Sequence, residues 1–112
     1  MTFRLVDDVS TLTDLTFGFA APRQDAREAK AGELDVIVVP ALAIAPSGHR
    51  IGYGAGYYDR TIVRFLPHAV TIGVAYDFQI LAEVPITEGD VALDFVVTDV
   101  RAFARAPAVE AP

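Results

Sequence analysis

The sequence predicts an α/β domain with a mainly parallel sheet flanked by helices, from three apolar runs and one helix-like stretch. Leu34 to Pro40, Val70 to Ala75 and Leu93 to Thr98 have strand composition. The β-branched residues of the first run are continuous, which is typical of a strand buried on both faces of a parallel sheet. Tyr58 to Leu66 lies between the first two runs and has helix-like periodicity. This strand–helix–strand order is that of an α/β fold.

The helix-like stretch has an apolar face and a basic face. Helical spacing places Tyr58, Ile62, Phe65 and Leu66 together, and it places Arg60 and Arg64 on another face. Pro67 is expected to end this helix. Three weaker elements are predicted from the remaining sequence: a short strand at Phe3 to Val6, a short helix capped by Ser10, and a short helix at Phe78 to Ala82.

Composition limits the class of protein. At 112 residues and 53% hydrophobic content, the chain fits one globular domain. We expect this domain to span residues 1–100, followed by a flexible Ala/Pro-rich tail at 101–112. The sequence contains no apolar membrane-spanning run, no signal-peptide pattern and no cysteine, so we expect a soluble, cytoplasmic protein. A net charge of −6 argues against a nucleic-acid partner.

The predicted elements leave one part of the sheet without cover. Three or four strands with a single strong helix can bury only one sheet face well. We therefore expect either a partner subunit on the other face or a natural domain that continues beyond this chain. An exposed face also favours self-association of a chain of this length.

A glycine-rich stretch from Gly48 to Arg60 is the predicted functional centre. Four glycines in nine residues allow tight turns and close approach to a ligand. Arg50 before the loop and Arg60 after it can pair with phosphate oxygens, or with neighbouring acids. The spacing matches neither a P-loop nor the dinucleotide fingerprint. Spacing alone therefore leaves two interpretations open, a ligand-binding loop and a tight strand-to-helix turn.

The acidic and aromatic residues around this loop can likewise be interpreted either as structural residues or as ligand-binding residues. Asp59 is either a favourable partner of the helix dipole or a magnesium ligand. Asp77 and Asp90 are by default turn residues, but Asp59 and Asp90 would make a metal site if they met across adjacent strand ends. Tyr53, Tyr57 and Tyr58 could stack on a flat ring of a ligand. His49 and His68 are isolated and are interpreted as loop residues, and no serine or histidine sits in a nucleophile arrangement.

Taken together, these residues resemble the 5-formyltetrahydrofolate cyclo-ligase family, also called methenyltetrahydrofolate synthetase. The similarity covers nearly the whole chain apart from the tail, and its most specific part is Arg-x-Gly-x-Gly-x-Gly-Tyr-Tyr-Asp at 50–59. The matching segments run in order through Leu34 to Pro40, Gly48 to Arg60, Ile72 to Gln79, Val84 to Asp90, Leu93-Asp94 and Val97-Thr98.

The resemblance implies an ATP- and magnesium-dependent cyclisation of 5-formyltetrahydrofolate to 5,10-methenyltetrahydrofolate, with release of ADP and phosphate. It implies catalytic roles for Arg50, Tyr53 and Tyr57, and magnesium ligation by Asp59 and Asp90. The implied ATP-binding residues are Arg50, Ile51, Gly52, Tyr53, Gly54, Ala55, Gly56, Tyr57 and Tyr58. The implied folate-binding residues are Tyr53, Gly54, Ala55, Gly56 and Tyr57. The implied fold is the three-layer type shared with ribose-5-phosphate isomerase A and coenzyme A transferases.

Two departures from the family pattern accompany the resemblance. The family usually has Phe-Asp where this chain has Ile44-Ala45. The chain also resembles only the later part of the family, which carries an N-terminal segment with a basic cluster for ATP phosphates. We therefore expect weak nucleotide binding and little turnover from the isolated chain. The alternatives are a truncated paralogue that binds nucleotide or folate without chemistry, and a sugar-phosphate isomerase on the same fold.

Overall fold

A computed structural model describes residues 1–14, 20–52 and 56–107 of the chain. The strands in this part are β1 (Thr13–Asp14), β2 (Ala20–Ala21), β3 (Val36–Pro40), β4 (Ala43–Ile44), β5 (Arg50–Ile51), β6 (Val70–Val74), β7 (Phe95–Val97) and β8 (Ala102–Ala104). The α-helix among these residues is α1 (Tyr57–Ile62), and 3₁₀ turns form at Val9–Thr11, Val63–Phe65 and Asp77–Gln79.

The centre of the fold is a four-stranded sheet in the order β3-β6-β7-β8. β3, β6 and β7 are parallel neighbours, and β8 adds to the β7 edge in the antiparallel direction. The pairs β1–β2 and β4–β5 form separate antiparallel ribbons. The three strands predicted from apolar runs are thus confirmed, and so is the mainly parallel α/β class.

One face of the sheet packs on α1 and the turn that follows it. Ile37 and Val39 of β3 are buried there with Ile62, Phe65 and Leu93. The Phe3 ring closes this core by meeting the Phe65 ring edge-on at a centroid distance of 5.4 Å. β-branched side chains on a strand and apolar residues at helical spacing thus meet in one continuous core.

Among the described residues, the opposite face of the sheet is open. Val36 and Val38 point away from the core and remain 54% and 56% exposed. The expectation that β3 is buried on both faces is therefore wrong for the described residues, although the expectation of one poorly covered face is confirmed. A continuous β-branched run indicates a strand that can be buried on both faces. Whether both faces are buried depends on which elements pack against the strand.

The helix is shorter than the sequence predicts. α1 ends at Ile62 and continues as a 3₁₀ turn over Val63–Phe65, and the Leu66–Pro67 peptide is cis. Because α1 and its 3₁₀ continuation end before Leu66, this residue does not share the buried face with Ile62, and it is 36% exposed. Proline has no N–H and fixes its own φ, so it cannot extend the helix, as expected.

Other short elements also differ from the predictions. Instead of a strand, Phe3 to Val6 forms one isolated bridge between Arg4 and Glu28. The turn after Asp8 is capped by the Asp8 carboxylate rather than by Ser10. The predicted helix at Phe78 to Ala82 is replaced by a 3₁₀ turn that starts one residue earlier.

Part of the predicted tail is structured. Ala102–Ala104 lies in the predicted flexible tail, yet it forms β8 by pairing with β7. Alanine has low strand propensity, so this strand depends on its neighbour rather than on its own composition. Within the described residues, no helix is long and apolar enough to cross a membrane.

Candidate functional site

Arg50 reaches the carboxyl end of β3 because the β4–β5 hairpin folds back onto it. The hairpin is closed by hydrogen bonds from the Leu42 N–H to the Ile51 carbonyl (2.8 Å) and from the Ala45 N–H to the His49 carbonyl (2.9 Å). Ile44 and Ala45 are 0% and 2% exposed, so the family's usual Phe-Asp falls here on buried positions. The hairpin therefore fixes the direction of the Arg50 side chain.

The Arg50 guanidinium is buried between three groups. Its Nη1 lies 3.3 Å from the Pro40 carbonyl oxygen, and its Nη2 lies 3.9 Å from the Asp59 carboxylate. Its Cζ lies 5.3 Å from the centre of the Tyr58 ring, a cation–π distance. The side chain is only 4% exposed, and its Nε has no hydrogen-bond partner among the described residues. A buried charged donor without a partner is costly, which makes this position a candidate functional feature.

Two glycines make this arrangement possible. A Cβ on Gly52 would come 2.5 Å from Arg50 Nη1, so any larger residue would require the guanidinium to move. Gly56 precedes α1 with φ of 66°, a left-handed conformation that side chains disfavour. The glycine-rich stretch thus serves the packing of Arg50 at one end and the entry into the helix at the other.

Asp59 links the helix to the turn before β7. One carboxylate oxygen accepts a hydrogen bond from the Val91 N–H (3.1 Å), and the other faces Arg50. The side chain is 20% exposed, so part of the carboxylate reaches the surface. Asp59 therefore retains acceptor capacity beyond its two partners inside the chain.

Asp90 lies next to that contact because it directly precedes Val91. Its carboxylate accepts hydrogen bonds from the Thr87 N–H (2.8 Å) and the Thr87 hydroxyl (3.1 Å), which closes the turn. The fold thus brings the main chain of Asp90 beside the Asp59 carboxylate. The described residues contain no cluster of three or more His, Cys, Asp or Glu side chains suited to a metal.

Asp77 belongs to a different network, at the carboxyl end of β6. Its carboxylate accepts hydrogen bonds from Arg101 Nε (2.8 Å) and from the Thr98 hydroxyl (3.0 Å). The hydrogen bond from Arg101 is the main cause of a lowered pKa of the Asp77 carboxyl. Asp77 therefore ties β7 and its following turn to β6, as an ionised structural residue.

A pocket of about 400 Å³ opens at the carboxyl ends of β3 and β6. It is lined in part by Pro40, Val74, Tyr76 and Gln79. The Gln79 side chain donates to the Leu42 carbonyl (3.0 Å) and accepts from the Tyr76 N–H (2.8 Å), so it joins the hairpin to the pocket wall. Tyr76 and Gln79 are not among the predicted site residues, although ligand sites favour this end of a parallel sheet.

The remaining predicted residues are placed as follows. Tyr53, Gly54 and Ala55 lie outside the described residues, and only the main chain of Tyr57 is described. Arg60 is exposed on α1. His49 and His68 are loop residues, as predicted. His49 Nδ1 lies 3.0 Å from the Ser47 hydroxyl oxygen, and His68 Nε2 lies 2.7 Å from an Asp35 carboxylate oxygen.

Comparisons with known proteins identify the family. The model of the 5-formyltetrahydrofolate cyclo-ligase family matches residues 1–99. This chain belongs to that family. A 5-formyltetrahydrofolate cyclo-ligase of Mycolicibacterium smegmatis is 44% identical over 92 residues, which are 81% of this chain and 47% of the relative. The Escherichia coli cyclo-ligase is 35% identical over 79 residues, covering 69% of this chain and 43% of the relative.

Solved structures extend the similarity to the fold. The Aquifex aeolicus 5,10-methenyltetrahydrofolate synthetase aligns with 99% of this chain at a TM-score of 0.78 and 28% identity. The aligned part is 56% of the Aquifex chain. The Mycoplasma pneumoniae 5,10-methenyltetrahydrofolate synthetase aligns with 68% of this chain at a TM-score of 0.61. The chain thus spans about half the length of the M. smegmatis relative.

Proposed function

We propose that this chain carries the nucleotide- and folate-binding part of a cyclo-ligase. The reaction is the ATP- and magnesium-dependent cyclisation of 5-formyltetrahydrofolate to 5,10-methenyltetrahydrofolate, releasing ADP and phosphate. The observation that carries the proposal is the buried Arg50, held between Asp59 and Tyr58 within a stretch that the family model matches. We also propose the cytoplasm as its location and the three-layer isomerase-like arrangement for the full domain.

The chemistry requires positioning more than a protein nucleophile. The formyl carbon is a poor electrophile, and transfer of the γ-phosphoryl group of ATP to the formyl oxygen activates it. The neighbouring anilino nitrogen then attacks that carbon, and phosphate leaves. Catalysis of such a sequence depends on aligning two substrates and neutralising phosphate charge, so a site without a nucleophilic serine or cysteine suffices.

Arg50 acts in this proposal mainly as a positioning residue. Its side chain is only 4% exposed, so the buried guanidinium orients the loop by attracting the Asp59 carboxylate. We assign ATP contacts to main-chain N–H groups of Ile51 to Tyr58, and we assign folate contacts to Tyr53 to Tyr57. Tyr53 and Tyr57 take the catalytic roles that involve direct substrate contact. Backbone donors suit phosphate because they add no side-chain bulk.

Asp59 and Asp90 are the proposed magnesium ligands. Magnesium in nucleotide sites typically takes one or two carboxylates together with phosphate oxygens, and this donor set fits it. Support for the pairing comes from the Val91 N–H, which donates to Asp59 and belongs to the residue directly after Asp90. When bound there, the metal neutralises phosphate charge during transfer.

Formation of the methenyl product, followed by its near-ultraviolet absorbance, tests the proposal. We define the completed protein as this chain fused to the part of the M. smegmatis relative that it does not match. The completed protein should turn over 5-formyltetrahydrofolate only with both ATP and magnesium. Nucleotide binding without product formation would contradict the enzyme assignment and indicate a binding module.

A further inference from the structure

A parallel pair of aromatic rings lies at the carboxyl end of β6. The centroids of the Tyr76 and Phe78 rings are 5.6 Å apart, and the angle between the two ring planes is 6°. Tyr76 is 61% exposed and Phe78 is 82% exposed, so most of this ring pair is open to solvent. Because burial of an aromatic ring stabilises a fold, a ring pair left in solvent indicates contact with another molecule.

The turn that carries these rings is fixed by hydrogen bonds from other groups. The Tyr76 N–H donates to the Gln79 side-chain oxygen (2.8 Å), and the Asp77 N–H donates to the Asp99 carboxylate (2.8 Å). The Asp77 carboxylate also accepts a hydrogen bond from Arg101 Nε (2.8 Å). The main chain beneath the rings is thus held in place without using the rings themselves. Such preorganisation lowers the entropy cost of binding a ligand to them.

Tyr76 also belongs to the wall of the 400 Å³ pocket at the carboxyl ends of β3 and β6, which we call the strand-end pocket. The rest of its lining consists of small apolar residues and two polar ones: Pro40, Ala41, Val74, Ala75, Gln79 and Asp99. Small-molecule sites typically have this size and this composition, with apolar walls and a few polar groups that fix orientation.

The two polar residues determine which ligand group fits the pocket. The Gln79 side chain uses both of its ends inside the chain, since it donates to the Leu42 carbonyl and accepts from the Tyr76 N–H. One Asp99 oxygen accepts from the Asp77 N–H, and its other oxygen has no hydrogen-bond partner among the described residues. A carboxylate accepts hydrogen bonds but repels anions. The pocket therefore favours an N–H donor and disfavours a phosphate or carboxylate.

We propose that the strand-end pocket binds a flat heteroaromatic ring with an exocyclic amino group, which stacks on Tyr76 and donates a hydrogen bond to Asp99. This inference rests on the proposed function, because both substrates of that reaction carry such a ring. ATP carries adenine, and 5-formyltetrahydrofolate carries the aminopyrimidinone ring of its reduced pterin. The pocket adjoins the glycine-rich stretch, since Arg50 Nη1 lies 3.3 Å from the carbonyl oxygen of Pro40 in its wall.

Calorimetric titration of the completed protein with one substrate at a time tests the pocket without turnover. Tyr76→Leu keeps an apolar side chain but removes the flat ring. It should weaken binding of one substrate by about 10-fold, as expected when a base loses an aromatic stacking partner. The substrate that is affected identifies the ring in the pocket. Val100→Ala is the control, since it removes a 73% exposed apolar side chain next to Asp99 and should change neither affinity.

A second variant tests the hydrogen bond to the amino group. Asp99→Asn can still accept from the Asp77 N–H but removes the negative charge. If adenine occupies the pocket, this change should reduce the preference for magnesium-ATP over magnesium-ITP by about 5-fold, because the base of ITP lacks the amino group. If the pterin occupies it, the affinity for 5-formyltetrahydrofolate should fall instead, while both nucleotides bind as before. A merely structural role of Asp99 would move neither selectivity.

Two results would overturn the proposal. One is unchanged affinity of both substrates for the Tyr76→Leu protein. The other is an equal loss of affinity for both substrates, which would show that the turn only supports the fold. Selective loss of affinity in a protein that forms no product would support the pocket and contradict the enzyme assignment. Product formation with unchanged affinities would do the reverse, so the two failures are distinguishable.

Discussion

The Arg50 guanidinium lies 3.9 Å from the Asp59 carboxylate, joining the β4–β5 hairpin to the first turn of α1. The two residues lie on either side of Gly52, Gly54 and Gly56 in the sequence. Their contact therefore sets the distance between the ends of that segment. Because Arg50 is nearly inaccessible, the pair is only weakly screened by solvent. The shape of the proposed nucleotide loop therefore depends on this contact.

Removing the charge of Arg50 should loosen the loop and weaken nucleotide binding. Arg50→Met keeps much of the side-chain volume but leaves Asp59 without its counter-charge and the Pro40 carbonyl without its donor. We expect a loss of about 2 kcal/mol in unfolding free energy, together with weaker magnesium-ATP binding to the completed protein. Urea unfolding and calorimetric titration measure the two effects. Arg64→Met, on the exposed side of the turn after α1, is the control and should change neither.

Gly52→Ala should act through Arg50. The new Cβ would fall 2.5 Å from Nη1 and force the guanidinium out of its site. A loss of about 1–3 kcal/mol is expected, as for other overpacked positions. The decisive comparison is a double-mutant cycle, in which Gly52→Ala costs much less once Arg50 is replaced by alanine. Equal costs in both backgrounds would show that Gly52 matters for another reason.

Asp77 predicts a pH dependence of stability. Its carboxyl pKa lies below the ordinary value of 3.8 in the folded chain, mainly because Arg101 donates a hydrogen bond to it. This contribution is fully present above the unfolded pKa and is lost as the pH falls through the lower folded pKa. Melting temperatures recorded from pH 7 down to pH 2.5 should show a smaller acid loss for Asp77→Asn than for the wild type. Parallel curves would contradict the assignment.

Sequence patterns were sufficient for the central strands and for the start of the helix. The runs containing Val36–Pro40 and Val70–Val74 are rich in β-branched residues, and the residues after Gly56 have helical spacing. These signals lie within each segment, so they can be recognised without knowing what packs against it. The prediction that Val36 and Val38 are buried is wrong, because their burial requires a layer that the described residues do not contain.

The features missed from the sequence depend on tertiary contacts. β8 forms at Ala102–Ala104 because the adjacent β7 edge offers unpaired main-chain groups, which an Ala/Pro-rich composition does not reveal. The burial of Arg50 depends on the Tyr58 ring and on the space left by Gly52. Both are contacts in the folded chain that residue spacing does not reveal. The roles of Tyr53 and Tyr57 remain predictions.

Turnover of the completed protein with Asp59→Asn tests the central claim most directly. Asparagine keeps the shape and can still accept a hydrogen bond from the Val91 N–H, but it removes the negative charge that the proposed metal needs. Glu88→Gln is the matched control, since it removes one exposed acid from the same turn as Asp90. We predict at least a 100-fold loss of methenyl product formation for Asp59→Asn, a factor within the range for losing a charge-stabilising group, and a normal rate for Glu88→Gln. A normal rate for Asp59→Asn at limiting magnesium would contradict the account.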